Sequence, residues 1–156
     1  MTTTAPHDTQ TGLSARRLGA LRGNCMGAAV LLIVQFGLGI AVNLYVTLPK
    51  HKPFFSTVFG SALLAAHVIV AVVLLGASIS ALVRAIRARR VIVPTAVGFT
   101  AVLTAVIAGA AFTGNQNAGA SLAMALATAV AMFSYLAAIF STGRVDEHRS
   151  AMKDRR

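Results

Sequence analysis

The sequence predicts an all-α fold, a bundle of four transmembrane helices that run up, down, up and down. Three observations lead to it. The 156 residues are 56% hydrophobic and only 12% charged, with a mean hydropathy of +0.75, which is typical of membrane proteins. Several long stretches carry no charged side chain at all. The basic residues gather beside these stretches, mostly on one predicted side of the membrane.

Four apolar segments are each long enough to cross a bilayer, since a helix needs roughly 20 residues to span about 30 Å of hydrocarbon. We predict spans at 26–46, 61–83, 91–112 and 121–140. Residues 1–22 would form a cytoplasmic tail that ends in a short basic helix against the lipid headgroups. The membrane domain would then cover 23–141, and a basic cytoplasmic tail would cover 142–156.

Arginine residues predict the orientation. They precede span one and fill the connection between spans two and three: Arg16, Arg17, Arg22, Arg84, Arg87, Arg89 and Arg90. More basic residues follow span four, whereas the other side carries only Lys50 and Lys52. Positively charged loops stay in the cytoplasm, so both termini should be cytoplasmic. These basic residues can bind the anionic lipid headgroups, so the net charge of +10 does not predict nucleic-acid binding.

The external connection 47–60 is the longest one, and its prolines and phenylalanines suit an interfacial or partly re-entrant segment. It also holds His51. At the opposite membrane surface, we expect Tyr135 and Phe140 to lie near the inner interface at the end of span four. Pro94 falls in the first turn of span three, where proline is tolerated.

Span one carries one polar face. Gly27, Gln35, Gly39 and Asn43 are spaced by four or eight residues, so they share a side of the helix that should point into the bundle. Gln35 and Asn43 could hold helices together through interhelical hydrogen bonds, or they could line a small polar pocket.

His67 is the single His, Asp, Glu, Lys or Arg in any predicted span. Such groups are costly in hydrocarbon and should face protein or trapped water. Asn43, Gln35, Thr104 or a loop carbonyl could supply the hydrogen-bond partner. Four roles stay open for His67: a hydrogen-bonded core residue, part of a quinone-like or other small-molecule site, a haem or metal ligand, and a proton relay.

A b-type haem between membrane helices usually needs two axial ligands, and the spans offer one histidine. His51, Met124 in the outer part of span four, or His67 of a second subunit would have to complete the pair. Any other metal would rely on the same two histidines, His67 and His51. Copper suits histidine and methionine, but no cluster of such residues supports it.

No catalytic motif is present. The chain has no intramembrane Asp or Glu, no Walker-type loop, no Gly-x-Ser-x-Gly elbow and no His-Glu-x-x-His. We therefore expect a non-enzymatic accessory or structural membrane protein. The alternative is a small redox or ligand-binding protein with haem or quinone near His67. A small transporter or channel is a third option. Expected partners are the bilayer with its anionic headgroups and a second copy of the chain or another membrane protein.

Short motifs resemble those of a group of small uncharacterised four-helix membrane proteins of actinobacteria. The motifs are the run from Gln35 to Gly39, the run from Asn43 to Val46 with Pro49 and His51, the later His67, the stretch 109–113, and Met124. Lys52 and Pro53 directly after His51 depart from the pattern by shortening the loop. The resemblance implies the four-helix fold and a location in the bacterial plasma membrane, and it implies no activity.

Overall fold

A computed structural model describes residues 7–47, 54–115 and 117–153. In these ranges the chain is helical, with four long helices and one short one. The helices are α1 (His7–Tyr45), α2 (Phe54–Phe59), α3 (Ala62–Ala88), α4 (Ile92–Asn115) and α5 (Ala118–Lys153). Four stretches are long and apolar enough to cross a membrane: Arg16–Tyr45, Ala62–Ala88, Ile92–Gly114 and Ala118–Gly143. The predicted all-α four-helix transmembrane bundle is confirmed.

The four long helices form a closed ring of neighbours. Helix α1 packs against α3, α3 against α4, α4 against α5, and α5 against α1, while α2 packs on α3. The start of α1 lies in one core with the end of α3, the start of α4 and the end of α5. Neighbouring helices therefore run antiparallel. We call this end of the bundle, which holds the α3–α4 turn, the packed end, and the opposite end, next to α2, the α2 end.

Small side chains allow the helices to approach closely at the packed end. Leu21, Cys25 and Leu32 of α1 are almost fully buried there. They share a core with a set of mostly alanines on the other helices: Ala81, Ala85, Ala101, Ala131 and Ala138. A Cβ atom on Gly98 of α4 would lie 2.9 Å from Cζ of Tyr135 on α5, so only glycine leaves room for that ring.

The helix ends differ in part from what the sequence indicated. The short basic helix predicted within 1–22 is not separate, because α1 runs without a break from His7 into the membrane stretch. Its alanines, leucines and arginines are strong helix formers, and no proline interrupts them. Tyr135 lies at the packed end, and its side chain is fully buried between α5 and α4. The predicted tail 142–156 continues α5 as helix to Lys153.

A tight turn connects α3 to α4. The N–H groups of Arg89 and Arg90 donate to the carbonyls of Ile86 and Ala85, at 3.1 and 3.2 Å, with Arg89 in the left-handed conformation (φ 51°). This pattern closes the last turn of α3. Val91, at φ 49°, then accepts hydrogen bonds from the N–H and the Oγ1 of Thr95 and so begins α4.

Large apolar side chains cover the outside of the bundle. Each of the four long helices exposes some of them, among them Ile33, Leu44, Ile69, Val93, Ile107 and Phe133. In a water-soluble protein such an extended apolar surface would be a liability. In a bilayer these side chains face lipid, which agrees with the hydropathy of the four stretches.

Candidate ligand site between the four helices

Gln35 and His67 meet between α1 and α3. The Nε2 atom of Gln35 lies 3.1 Å from the Nε2 atom of His67, within hydrogen-bond distance. Gly39, one turn after Gln35, makes room for the imidazole, since a Cβ atom there would lie 3.3 Å from Cε1 of His67. The ring therefore lies in a notch of α1 at Gly39, and the side-chain amide of Gln35 lies at one edge of that notch. Of the partners that the sequence offered for His67, the structure selects Gln35.

The pair leaves two polar atoms unsatisfied. Oε1 of Gln35 and Nδ1 of His67 are buried and have no hydrogen-bond partner in the described part of the chain. If the amide donates to Nε2, the imidazole proton is on Nδ1, so the remaining atoms are one donor and one acceptor. If the amide is turned over, Nε2 donates to the amide oxygen, and again one donor and one acceptor remain. Each such group costs about 1–3 kcal/mol when buried unpaired.

A cavity of about 370 Å³ lies beside this pair, in the half of the bundle near α2. All four long helices line it. Its wall includes every residue that the sequence predicted as ligand-binding: Gln35, Asn43, His67 and Met124. Those residues come from three different helices, so the fold brings together side chains that are up to 89 positions apart in the chain.

Small residues create this space. The cavity wall on α3 and α4 includes Ala71, Ala105 and Gly109. The Sδ atom of Met124 would lie 3.4 Å from a Cβ atom on Gly109, so its thioether occupies part of the room that the glycine leaves. Leu32, Leu74 and Val102 belong both to the cavity wall and to the core of the packed end, so the cavity ends where that core begins.

The other candidate hydrogen-bond partners of His67 are not paired with it in the described part of the chain. Asn43 is exposed at the edge of the cavity and makes no hydrogen bond to any described residue. Thr104 is exposed on α4, and its Oγ1 donates to the carbonyl of Thr100 at 2.9 Å within the same helix. The hydroxyl of Thr104 is therefore satisfied locally, which is the usual state of a threonine in a membrane helix. His51 lies outside the described residues.

Neither nitrogen of His67 is free for coordination in this arrangement. Nε2 is within hydrogen-bond distance of Gln35, and Nδ1 is buried beside Gly39. A haem or metal ion on Nε2 would need Gln35 to move away first. Among residues 7–47, 54–115 and 117–153 there is no group of three His, Cys, Asp or Glu side chains that could hold a metal ion. The geometry thus fits hydrogen bonding better than ligation.

No protein family, curated protein or solved structure matches this chain. The likeness to actinobacterial membrane proteins therefore stays a prediction. The function has to be argued from the cavity and the residues that form it.

Two polar features at the packed end were missed from the sequence. Asn24 on α1 donates from Nδ2 to the carbonyl of Ala77 on α3 at 3.2 Å, so a second interhelical hydrogen bond joins the same two helices. The hydroxyl of Tyr135 is buried without a hydrogen-bond partner in the described chain, and the neighbouring Ser78 hydroxyl donates to the carbonyl of Leu74 at 2.8 Å. Asn24 lies eleven residues, about three turns, before Gln35, so the two side chains share one face of α1. This spacing could have predicted that Asn24 also contacts α3.

Proposed function

We propose that this integral membrane protein binds a small, uncharged, lipid-soluble molecule in the cavity beside Gln35 and His67. One observation carries the proposal. A cavity of about 370 Å³ adjoins a buried polar pair whose members each retain one unsatisfied atom. Ligand sites are typically apolar clefts with a few well-placed polar groups, and this cavity has that composition.

The lining limits the kind of ligand. Among the described residues, no Asp, Glu, Lys or Arg lines the cavity. A charged group would therefore enter without a counter-ion, at high cost inside a membrane. An uncharged head with a carbonyl or hydroxyl oxygen would meet the remaining needs of the pair, because a hydroxyl both donates and accepts a hydrogen bond.

Binding would exchange hydrogen bonds. In the structure the amide of Gln35 is held by His67, and Oε1 of Gln35 is buried. A rotation of the flexible Gln35 side chain toward the cavity would give up the one bond within the pair. It would bring the amide to the ligand and uncover the imidazole. Bonds from the ligand to the Gln35 amide and to Nε2 of His67 would then replace one internal bond.

A structural role is the second candidate, because Gln35 and His67 join α1 directly to α3. In that role the pair would only hold two helices together, as polar residues do in other membrane bundles. The protein would then act as an accessory or structural component of the membrane. The two candidates predict opposite effects when both side chains are replaced by leucine.

We also propose that the membrane is the plasma membrane of a bacterium, with both termini in the cytoplasm. The seven arginines that set the predicted orientation are all exposed, and all lie toward the packed end: Arg16, Arg17, Arg22, Arg84, Arg87, Arg89 and Arg90. Such a concentration at one end is typical of the cytoplasmic side.

Thiol labelling in intact cells tests this orientation, because the single cysteine, Cys25, is buried and gives little background. A membrane-impermeant maleimide should label Gly119→Cys in the first turn of α5. It should not label Arg89→Cys until the cells are opened. Labelling of Arg89→Cys alone in intact cells would reverse the orientation.

Mass spectrometry of molecules retained by the purified protein tests binding. Protein purified from bacterial membranes in mild detergent should carry an enriched uncharged lipid that Gln35→Leu/His67→Leu lacks. Thr104→Val is the matched control, since Thr104 is an intramembrane polar residue outside the cavity lining, and it should keep the lipid. Equal lipid content in all three proteins would refute the binding function. A visible spectrum with a Soret band lost in the double variant would instead assign haem.

A further inference from the structure

Two faces of α1 have different neighbours. One face, with Asn24, Gln35 and Gly39, contacts α3 through the hydrogen bonds and the imidazole contact described above. The adjacent face carries a stripe with spacings of three and four residues: Leu21, Cys25, Ala29, Leu32, Phe36, Ile40 and Asn43. Since α5 is the other neighbour of α1, this second stripe is the one directed toward α5.

The stripe changes from buried to exposed along the helix. At the packed end its members are at most 5% exposed, from Leu21 to Leu32. Further along, Phe36 is 50% exposed and Ile40 is 47% exposed, although both also line the cavity. Phe36 and Ile40 point to the same side of α1 as the buried members of the stripe. Their exposure therefore means that no helix covers that side of α1 at their height. Helix α1 therefore contacts α5 at the packed end and separates from it toward α2.

Helix α5 shows the same change. Ile139 is buried and Met132 is half-buried against the core of the packed end. Ala125, seven residues before Met132 and so on nearly the same side of the helix, is exposed and lines the cavity. The cavity is thus open sideways between α1 and α5, at a height where the surrounding side chains are apolar and face lipid.

We propose that this gap is a lateral entrance from the bilayer, and that the ligand is an uncharged lipid whose head reaches Gln35 and His67 while its hydrocarbon tail lies between α1 and α5. The inference rests on the proposed binding function and specifies its ligand class. Phe36, Ile40 and Ala125 border the gap and offer apolar contact to a tail. A second copy of the chain could cover these side chains, but it would leave the unsatisfied atoms of Gln35 and His67 without partners inside the cavity.

The test compares a tailed compound with its head alone. The chain contains no tryptophan, so Phe112→Trp at the cavity wall gives a single fluorescent reporter. Protein carrying this reporter in lipid nanodiscs is titrated with a decyl-substituted benzoquinone, in oxidised and reduced form, and with the same ring lacking the decyl chain. Quenching of the tryptophan reports binding.

Ala125→Phe should obstruct the entrance without burying new volume in the packed core. We expect it to weaken binding of the tailed compound by about tenfold or more, a free-energy change of about 1.4 kcal/mol, and to leave the tailless ring unchanged. Ala123→Phe is the matched control, because Ala123 is exposed on the same helix but does not line the cavity. It should bind both compounds as the reporter protein does.

The outcomes separate the two proposals. If Gln35→Leu/His67→Leu abolishes saturable quenching but Ala125→Phe binds the tailed compound normally, the cavity binds a ligand and the lateral entrance is wrong. If Ala125→Phe weakens both compounds equally, the substitution fills the cavity, and the entrance is again refuted. If none of the variants differs from the reporter protein, the binding function fails together with the entrance. A dimer in the nanodisc that Ala125→Phe dissociates would assign the gap to a protein interface.

Discussion

Replacing both members of the buried pair should stabilise the protein. The change is Gln35→Leu/His67→Leu, which exchanges two polar side chains for apolar ones of similar volume. The wild-type pair has one hydrogen bond, at 3.1 Å, and two buried atoms without partners in the described chain. The double variant has neither the bond nor the unpaired atoms.

The balance of these terms gives the size of the effect. An interhelical hydrogen bond in a membrane protein contributes about 0.6–2 kcal/mol, so its loss costs about 1 kcal/mol. Each buried unpaired atom costs about 1–3 kcal/mol. Removing two of them, at about 1.5 kcal/mol each, should stabilise the protein by about 3 kcal/mol. The double variant should therefore be about 2 kcal/mol more stable than the wild type.

Each single substitution should have the opposite sign. After Gln35→Leu, both nitrogens of His67 are unpaired; after His67→Leu, both polar atoms of the Gln35 amide are unpaired. The number of unsatisfied atoms stays at two in each case, and the hydrogen bond is lost. Each single variant should thus be about 1 kcal/mol less stable than the wild type, and the effects should be strongly non-additive.

The reaction of Cys25 with a thiol-reactive fluorophore measures unfolding. Cys25 is the only cysteine, and its side chain is 1% exposed at the packed end, so a thiol-reactive fluorophore reacts when the bundle unfolds. Unfolding is followed against temperature and against denaturing detergent for the wild type, the two single variants and the double variant. Thr104→Val, an exposed position whose hydroxyl bonds within its own helix, should stay within about 0.5 kcal/mol of the wild type.

A double variant that is less stable than the wild type would contradict this prediction. That result would mean that the pair stabilises the bundle, as in the structural role. A stabilised double variant would instead show that the pair costs stability, which is common for residues kept for function.

Three further predictions concern the helix contacts and use the same unfolding assay. Gly98→Ala should destabilise the bundle by about 1–3 kcal/mol, because the new Cβ atom would lie 2.9 Å from the ring of Tyr135; Gly76→Ala, with no atom within 4 Å, is the control and should not destabilise it. Tyr135→Phe should leave stability unchanged or raise it by about 1 kcal/mol, since the hydroxyl is buried without a partner in the described chain; a marked loss would show that the hydroxyl is bonded. Arg89→Gly should raise stability by about 0.5–1 kcal/mol, because glycine adopts φ 51° without a steric penalty; a loss would mean that the arginine side chain contributes more than the backbone strain.

Much of the candidate site could be predicted from the chain alone. Polar residues are rare in apolar segments, and those few must face the interior, so Gln35 and His67 stand out by their residue type and position. Met124 and Asn43, which the sequence also offered as ligand-binding residues, line the same cavity, and their role in binding stays a prediction. The pairing was not predictable, because three partners for His67 were equally compatible with helix periodicity. Only the rotation and height of α1 relative to α3 brings Nε2 of Gln35 to the imidazole.

The sequence by itself determined the fold class, because hydropathy and segment length depend on local composition, and a bilayer accepts an apolar stretch of this length as a helix. The tertiary structure decided which faces meet. It placed the side chain of Tyr135 in the core, since the space beside Gly98 exists only once α4 and α5 pack. It also left Phe36 and Ile40 half-exposed beside the cavity, although Ala29 and Leu32 on the same stripe are buried. Such contacts depend on the relative rotation of helices, and that rotation is set by side-chain packing between distant segments, which no local pattern records.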